Sequence, residues 1–277
     1  PDGHWTKPSA LPAGLSLSRY RVKDVSNEHA AAEPSPSGTM LFYKQPELLR
    51  HQAHGSLGLR RPERPFDFAT KARVLPLTLG EIPAAQKSYP VVFSDLENPL
   101  PLAVIGGTDD RNLFVDDAGN WEREAYIPAY VRCYPFALAS QPTGEFAVVI
   151  DRAADIVSDD PERPFFDGDQ VTPETQSLID FCARYDAERT KTLAFGQKLN
   201  ELGLLTGQQV SQRGPDGTDK PVASYVAVDT EKLNELGNDV VKELFDSGYL
   251  AAVFAHLFSM ENWQSLFRRH EQAAGAA

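Results

Sequence analysis

NLFVDDAGNWEREAYIPAYVRCYPFALA, residues 112–139, is the stretch that decides the fold. Asn112–Val115 predicts a strand. Asp116–Asn120 is a turn in which Gly119 is free to take positive φ. Ile127–Cys133 predicts one or two helical turns. Pro128 suits a first turn, where its missing N–H costs nothing. Pro135 ends the helix, because the residue before a proline avoids the α region. Phe136–Ala139 then predicts another strand. The connections are too short for parallel crossovers, so the strands here should be antiparallel.

The same pattern extends outward. Val74–Leu79 alternates but holds Pro76, which places it at a sheet edge or strand start. Tyr89–Phe93 and Leu102–Ile105 predict neighbouring strands across a loop of hairpin length. Phe146–Ile150 completes a hairpin with Phe136–Ala139 through Gln141–Glu145. Residues 74–150 therefore predict one sheet of about five or six strands. Beyond it, Thr172 and Pro173 open a long helix that ends at Gly203. Gly-Pro-Asp-Gly turns a second hairpin between Gln208–Gln212 and Val222–Val228. Asp229 or Thr230 caps one short helix. Asn238 caps another, with Val241, Leu244 and Phe245 on one face, and Tyr249–Phe258 and Asn262–His270 finish the chain as helices. The expected class is α+β: an antiparallel-rich sheet in the middle of the chain, packed with a long helix and C-terminal helices. Residues 1–39, rich in Pro, Ser, Ala and Gly, form a flexible or partly docked extension. Residues 40–277 form a single domain, with a possible division near 151–172.

Composition narrows the partners. The chain has 277 residues, 42% hydrophobic, and a net charge of −12. That charge disfavours nucleic acid and anionic bilayers. No apolar run approaches the ~20 residues of a membrane helix. Cys133 and Cys182 are expected as buried thiols rather than a disulfide. No secretory signal is visible at the amino end. The expected compartment is the cytoplasm, with periplasm or cell surface after export as the alternative. Arg50, Arg60, Arg61, Arg64, Lys71 and Arg73 make residues 50–73 basic, either as a solvated segment or as a clamp for an acidic partner.

Motifs for chemistry are few. No histidine pair has HxxxH spacing, and His51 and His54 stand three apart in what reads as a loop. His256, between Phe254 and Phe258, reads as a satisfied core histidine. Asp167-Gly-Asp169 departs from a calcium loop at Val171 and Thr172. There is no nucleophile elbow and no phosphate-binding glycine loop. No cofactor or metal is expected. The remaining candidate is the opening stretch itself. Trp121, Tyr126, Tyr130, Arg132 and Tyr134 are residue types that anchor recognition, and they line a groove or else pack the core.

Four segments carry a family resemblance: MLFYKQPELL at 40–49, YPVVF at 89–93, NLFVDDAGNW with YIPAYVRCYPFALA, and AHLFSMENWQSL at 255–266. Residues 40–270 resemble the SapC family of bacterial proteins. Cys133 stands where such proteins often carry a basic residue. The resemblance implies a link to surface-layer formation or its export machinery, and supplies no catalytic set. The first functional expectation is a non-enzymatic accessory protein of a cell-surface pathway, surface-layer or outer-membrane linked, that binds a peptide or protein through the aromatic groove. The alternatives are an enzyme modifying a peptide or small molecule, and a structural surface-layer component.

Overall fold

The structure is a computed structural model that describes residues 40–107, 110–140, 146–213 and 218–275. β1 (Pro46–Leu48) and α1 (His51–His54) lead to β2 (Gly58–Leu59). A 3-10 turn at Asp67–Ala69 precedes β3 (Val74–Pro76). A second, Leu79–Glu81, runs into α2 (Ile82–Ala85). β4 (Val91–Phe93) and β5 (Pro101–Val104) follow, then α3 (Ala129–Cys133), β6 (Phe136–Ser140) and β7 (Phe146–Asp151). Four two-residue strands come next: β8 (Val157–Ser158), β9 (Arg163–Pro164), β10 (Phe166–Asp167) and β11 (Gln170–Val171). The chain continues through α4 (Pro173–Glu201), β12 (Leu205–Arg213), β13 (Asp219–Val228), α5 (Thr230–Asn234), α6 (Asn238–Asp246), α7 (Tyr249–Ser259) and α8 (Asn262–Gly275). The class is α+β, with antiparallel sheets, one long helix and a helical carboxyl end.

The single mid-chain sheet does not form. Its strands divide between a five-stranded sheet, ordered β12-β13-β4-β5-β3, and a three-stranded sheet, ordered β1-β7-β6. Between them α3 redirects the chain, and the Tyr134–Pro135 peptide is cis. β7 takes β1 as its other neighbour because the buried Asp151 carboxylate accepts the backbone N–H of Lys44 at 3.1 Å and of Gln45 at 2.8 Å. β3 is an outer strand, so the place expected for Pro76 is right.

Asn112–Val115 is not a strand either. It holds only isolated bridges, Gly106 to Asn112 and Val115 to Trp121. The Asn112 side chain accepts from Phe114 N at 2.9 Å, and this local bond draws the chain into a turn. His51 and His54 lie on a one-turn helix, not a loop. Gly237, not Asn238, is the N-cap of α6, and Phe245 is turned out, 71% exposed, while Leu244 is buried. The loop 141–145 and the turn 214–217 lie outside the described residues.

α4 begins and ends where its sequence says. The Thr172 side chain accepts from Thr175 N, and Pro173 is the first helical residue. At the other end Gly203 takes φ +67°, with Leu204 N donating to Leu199 O and Gly203 N to Asn200 O. Those two bonds make a Schellman cap, which needs a left-handed residue. The helix spans two cores. Its first half puts Ile179 and Cys182 among Leu49, Leu59, Phe136, Ile150 and Phe165. Its second half puts Phe195 and Leu199 in one core with Phe93 of the large sheet, Leu204 and Val253 of α7. Gly196 lets the helix meet the β4–β5 loop, since a Cβ there would lie 1.9 Å from Pro99 O.

The joint between β13 and β4 is unusual. Their ladder contains one residue pair, Val226 with Phe93. Where the next pair would form, the His256 ring of α7 stands between the strands. Its Nδ1 lies 2.6 Å from Val91 O, and its Nε2 accepts from Val228 N at 3.1 Å. A carbonyl only accepts and an amide N–H only donates, so these partners fix the neutral Nδ1–H tautomer. Ser259 completes the joint by accepting from Val91 N at 2.9 Å. His256 is fully buried, and burial lowers its pKa to about 4, against the smaller opposing effect of the bond to Val91.

Above pH 6.5 His256 is neutral in both folded and unfolded chains. Below it the unfolded chain takes a proton that the native one refuses, so stability falls as pH drops from 6.5 to about 4. At ~1.4 kcal/mol per pKa unit this amounts to roughly 3 kcal/mol. His256→Leu leaves two buried backbone groups unpaired, costs about 3 kcal/mol or more, and removes that component of the pH dependence in urea titrations. Gly196→Ala drives a Cβ into Pro99 and should cost about 1–3 kcal/mol. Gly207→Ala, with nothing within 4 Å of the new atom, is the control and should shift the melting temperature far less.

Candidate functional site

The opening stretch sits between the two sheets, and its aromatic side chains are joined by residues from 40–70. Trp121 meets Phe66 at 5.6 Å between ring centroids, and Phe66 meets Phe68 at 6.3 Å. Phe68 stacks on Tyr134 at 4.1 Å with an interplanar angle of 24°. Tyr134 meets Phe42 at 6.3 Å, Phe42 meets Tyr130 at 5.6 Å, and Tyr130 meets Tyr185 of α4 at 6.1 Å. The rings form one continuous ladder from the large sheet to the long helix. Phe42 holds its place with φ +80°, a left-handed conformation that costs a non-glycine residue about 1–2 kcal/mol. Its three ring contacts, at 5.2–6.3 Å, offset that cost.

The expected site residues lie in and beside this ladder at different depths. Trp121 is buried, and its Nε1 donates to the Tyr89 hydroxyl at 3.1 Å. It is a core residue and does not reach the surface of the others. Tyr126 is half-buried. Its hydroxyl donates to Glu81 Oε1 at 3.1 Å and accepts from Arg132 Nη2 at 3.1 Å. Burial first, and Glu81 second, push the Tyr126 pKa up to about 12. Tyr130 donates to Leu41 O at 2.8 Å, and burial raises its pKa to about 12 as well. Arg132 is exposed and lies over the Phe181 ring at 5.0 Å. Tyr134 donates to Asp151 Oδ2 at 2.8 Å; burial, then the Asp151 carboxylate, raise its pKa well above the ordinary value.

The buried carboxylates beneath the ladder are engaged in structure. Glu81 accepts from Ala129 N at 2.6 Å through one oxygen, and from Thr78 N and Oγ1, both at 2.8 Å, through the other. Asp151 holds Tyr134 and the chain entering β1. The two thiols are free and buried, as expected. Cys182 lies beside Cys133, and that contact together with burial pushes the Cys133 thiol pKa far up. His256 is the satisfied core histidine expected of it. His54 is buried too, facing Glu47 at 3.2 Å.

What reaches solvent is a cleft of about 310 Å³ over the Phe68–Tyr134 stack. Phe66, Phe68, Val131 and Tyr134 line it, with Lys44, Arg64 and Arg132 at its borders. It continues into a second recess of about 360 Å³ lined by Arg60, Arg61, Glu63 and Arg64. Asp67 and Asp155 line both parts. Five cationic side chains therefore face three carboxylates on a chain whose net charge is −12. Arg132 and Tyr134 are the two expected site residues that line this cleft. Sequence reading missed Phe42, Phe66 and Phe68. The signal available was Pro65-Phe-Asp-Phe68, two aromatic residues spaced to share a face, embedded in a basic segment. Among the described residues no group of His, Cys, Asp and Glu is arranged to hold a metal ion, and no helix is long and apolar enough to cross a membrane.

A family model described as SapC matches residues 49–266. No curated protein and no solved structure matches the chain. The match spans most of the chain, including the long helix, α7 and every ring of the ladder except Phe42, and the chain belongs to the SapC family.

Proposed function

We propose that the protein is a non-enzymatic recognition component of a bacterial cell-surface pathway, and that it binds an acidic peptide segment carrying an aromatic or large apolar side chain. The observation that carries this reading is the cleft over Phe68 and Tyr134. It joins an aromatic floor to a border of Lys44, Arg60, Arg61, Arg64 and Arg132. An aromatic floor desolvates a partner's side chain, and surrounding cations steer and orient an acidic one. The pairings inside the cleft leave that field available. Arg64 meets Asp67 at 2.7 Å with both side chains about half exposed, a pair of the kind that solvent screens to a small contribution.

Further support comes from the groups an enzyme would use. Glu81, Asp151, His256 and both thiols are buried in structural contacts, and none of them lines the cleft. The pathway, an accessory role in building or exporting a surface layer, rests on the association carried by the family name. The compartment, cytoplasm or beyond it after export, is part of the same proposal.

An unbiased peptide-display selection on the purified chain is the direct test. The expected winners combine acidic residues with an aromatic one, and their binding weakens as salt rises. Arg61→Glu with Arg64→Glu should weaken them at least tenfold, and Phe68→Ala should do the same. Trp121→Ala should lower the melting temperature instead, because that ring is core. Selection that enriches nothing, or peptides indifferent to both cleft variants, would sink the proposal.

A further inference from the structure

The second face of the large sheet is incompletely filled. Val74 pairs with Val104, and Val92 with Leu102, so these four side chains share one face. Tyr225 joins them, because Val226, its neighbour, pairs with Phe93 on the other face. α8 lies over this surface with Trp263, Leu266, Phe267 and His270, at i, i+3, i+4 and i+7. Trp263 closes one part, meeting Tyr225 at 5.3 Å and Phe267 at 5.9 Å. Between helix and sheet a cavity of about 770 Å³ remains. Close-packed interiors leave few voids larger than a water molecule. A space of this size falls within the range of small-molecule sites.

One end of the cavity is polar, and it is built rather than incidental. Arg73, which ends the approach to β3, donates from Nε to Gly107 O at 2.9 Å. The His270 ring rests directly on Gly107; a Cβ there would lie 2.5 Å from His270 Nδ1. Gly107 thus gathers a guanidinium and an imidazole at one mouth. The nearby carboxylate, Glu271, is engaged by Gln212 Nε2 at 2.6 Å. The Asp110 carboxylate lies 3.9 Å from the Arg73 guanidinium, with both side chains largely exposed.

We infer that this cavity is a binding site for a small amphipathic monocarboxylate. Its apolar body would lie between α8 and the sheet, and its carboxylate would face Arg73 and His270. The lining decides the body, since valine, leucine and aromatic side chains offer no pattern of polar partners. The charge at the mouth decides the head. The site is separate from the cleft over Phe68 and Tyr134, so each can fail without the other.

Calorimetric titration of the full chain with dodecanoate and with dodecanol, each below its aggregation limit, tests this. Dodecanoate should bind saturably at one site, and the alcohol at least tenfold more weakly. Arg73→Gln should erase that preference with little change in melting temperature. Ala223→Trp, which places an indole in the cavity from β13, should abolish binding by both. Equal affinity for acid and alcohol, no saturable binding, or binding that survives Ala223→Trp in a folded variant would overturn the inference.

Discussion

At the joint between β13 and β4 an imidazole stands where a strand-to-strand pair would form. β13 and β4 share one residue pair, and the ladder then opens around His256, which replaces the missing strand-to-strand bonds with one accepted and one donated by its ring. Buried backbone N–H and C=O groups must find partners, and here a side chain from α7 supplies them. The consequence reaches beyond the joint. β4 and β5 contribute Val92, Leu102 and Val104 to the cavity wall, and β13 contributes Ala223 and Tyr225. The wall is continuous only while the two parts of the sheet stay in register. α7 is thereby fixed as well, and with it α8, which begins three residues after α7 ends.

A second constraint is the aromatic ladder between the sheets. It is stiff because its polar tips are tied, Tyr130 to Leu41 O and Tyr134 to Asp151, while Tyr126 beside it is tied to Glu81. Asp151 and Glu81 also accept backbone N–H groups, so Tyr134 and Tyr126 cannot swing without disturbing those part-buried networks. Rigidity of this kind suits recognition, where a preformed surface loses little entropy on binding. α4 adds to it by placing Tyr185 at one end of the ladder while its far half packs on the large sheet.

Much of this was legible in the chain. Thr172-Pro173 and Gly203 mark α4 because caps and left-handed glycines are local chemistry. Pro76 marks an outer strand for an equally local reason, and His256 is the buried histidine of an apolar helix that nonetheless leaves Phe254 and Phe258 exposed. What escaped was pairing across distance. Nothing near Val226 announces that its partner is Phe93, and nothing near Pro46 announces Asp151. Asn112 misled through its own side chain, which bonds to Phe114 N and turns a β-like run into a loop. The candidate site was legible by half. Tyr134 and Arg132 line the cleft, whereas Trp121 has the composition of an anchor and the position of a core residue. Phe66 and Phe68 went unnoticed because their basic neighbours read as a solvated segment.

The His256 ring at the joint can be observed directly by nitrogen-15 and carbon-13 NMR of labelled histidine. The expected spectrum is that of a neutral ring with the proton on Nδ1, unchanged from pH 7.5 to pH 5 and titrating only near pH 4. A ring that titrates near pH 6.5, or one carrying its proton on Nε2, would contradict the joint and with it the continuous wall on which the cavity depends.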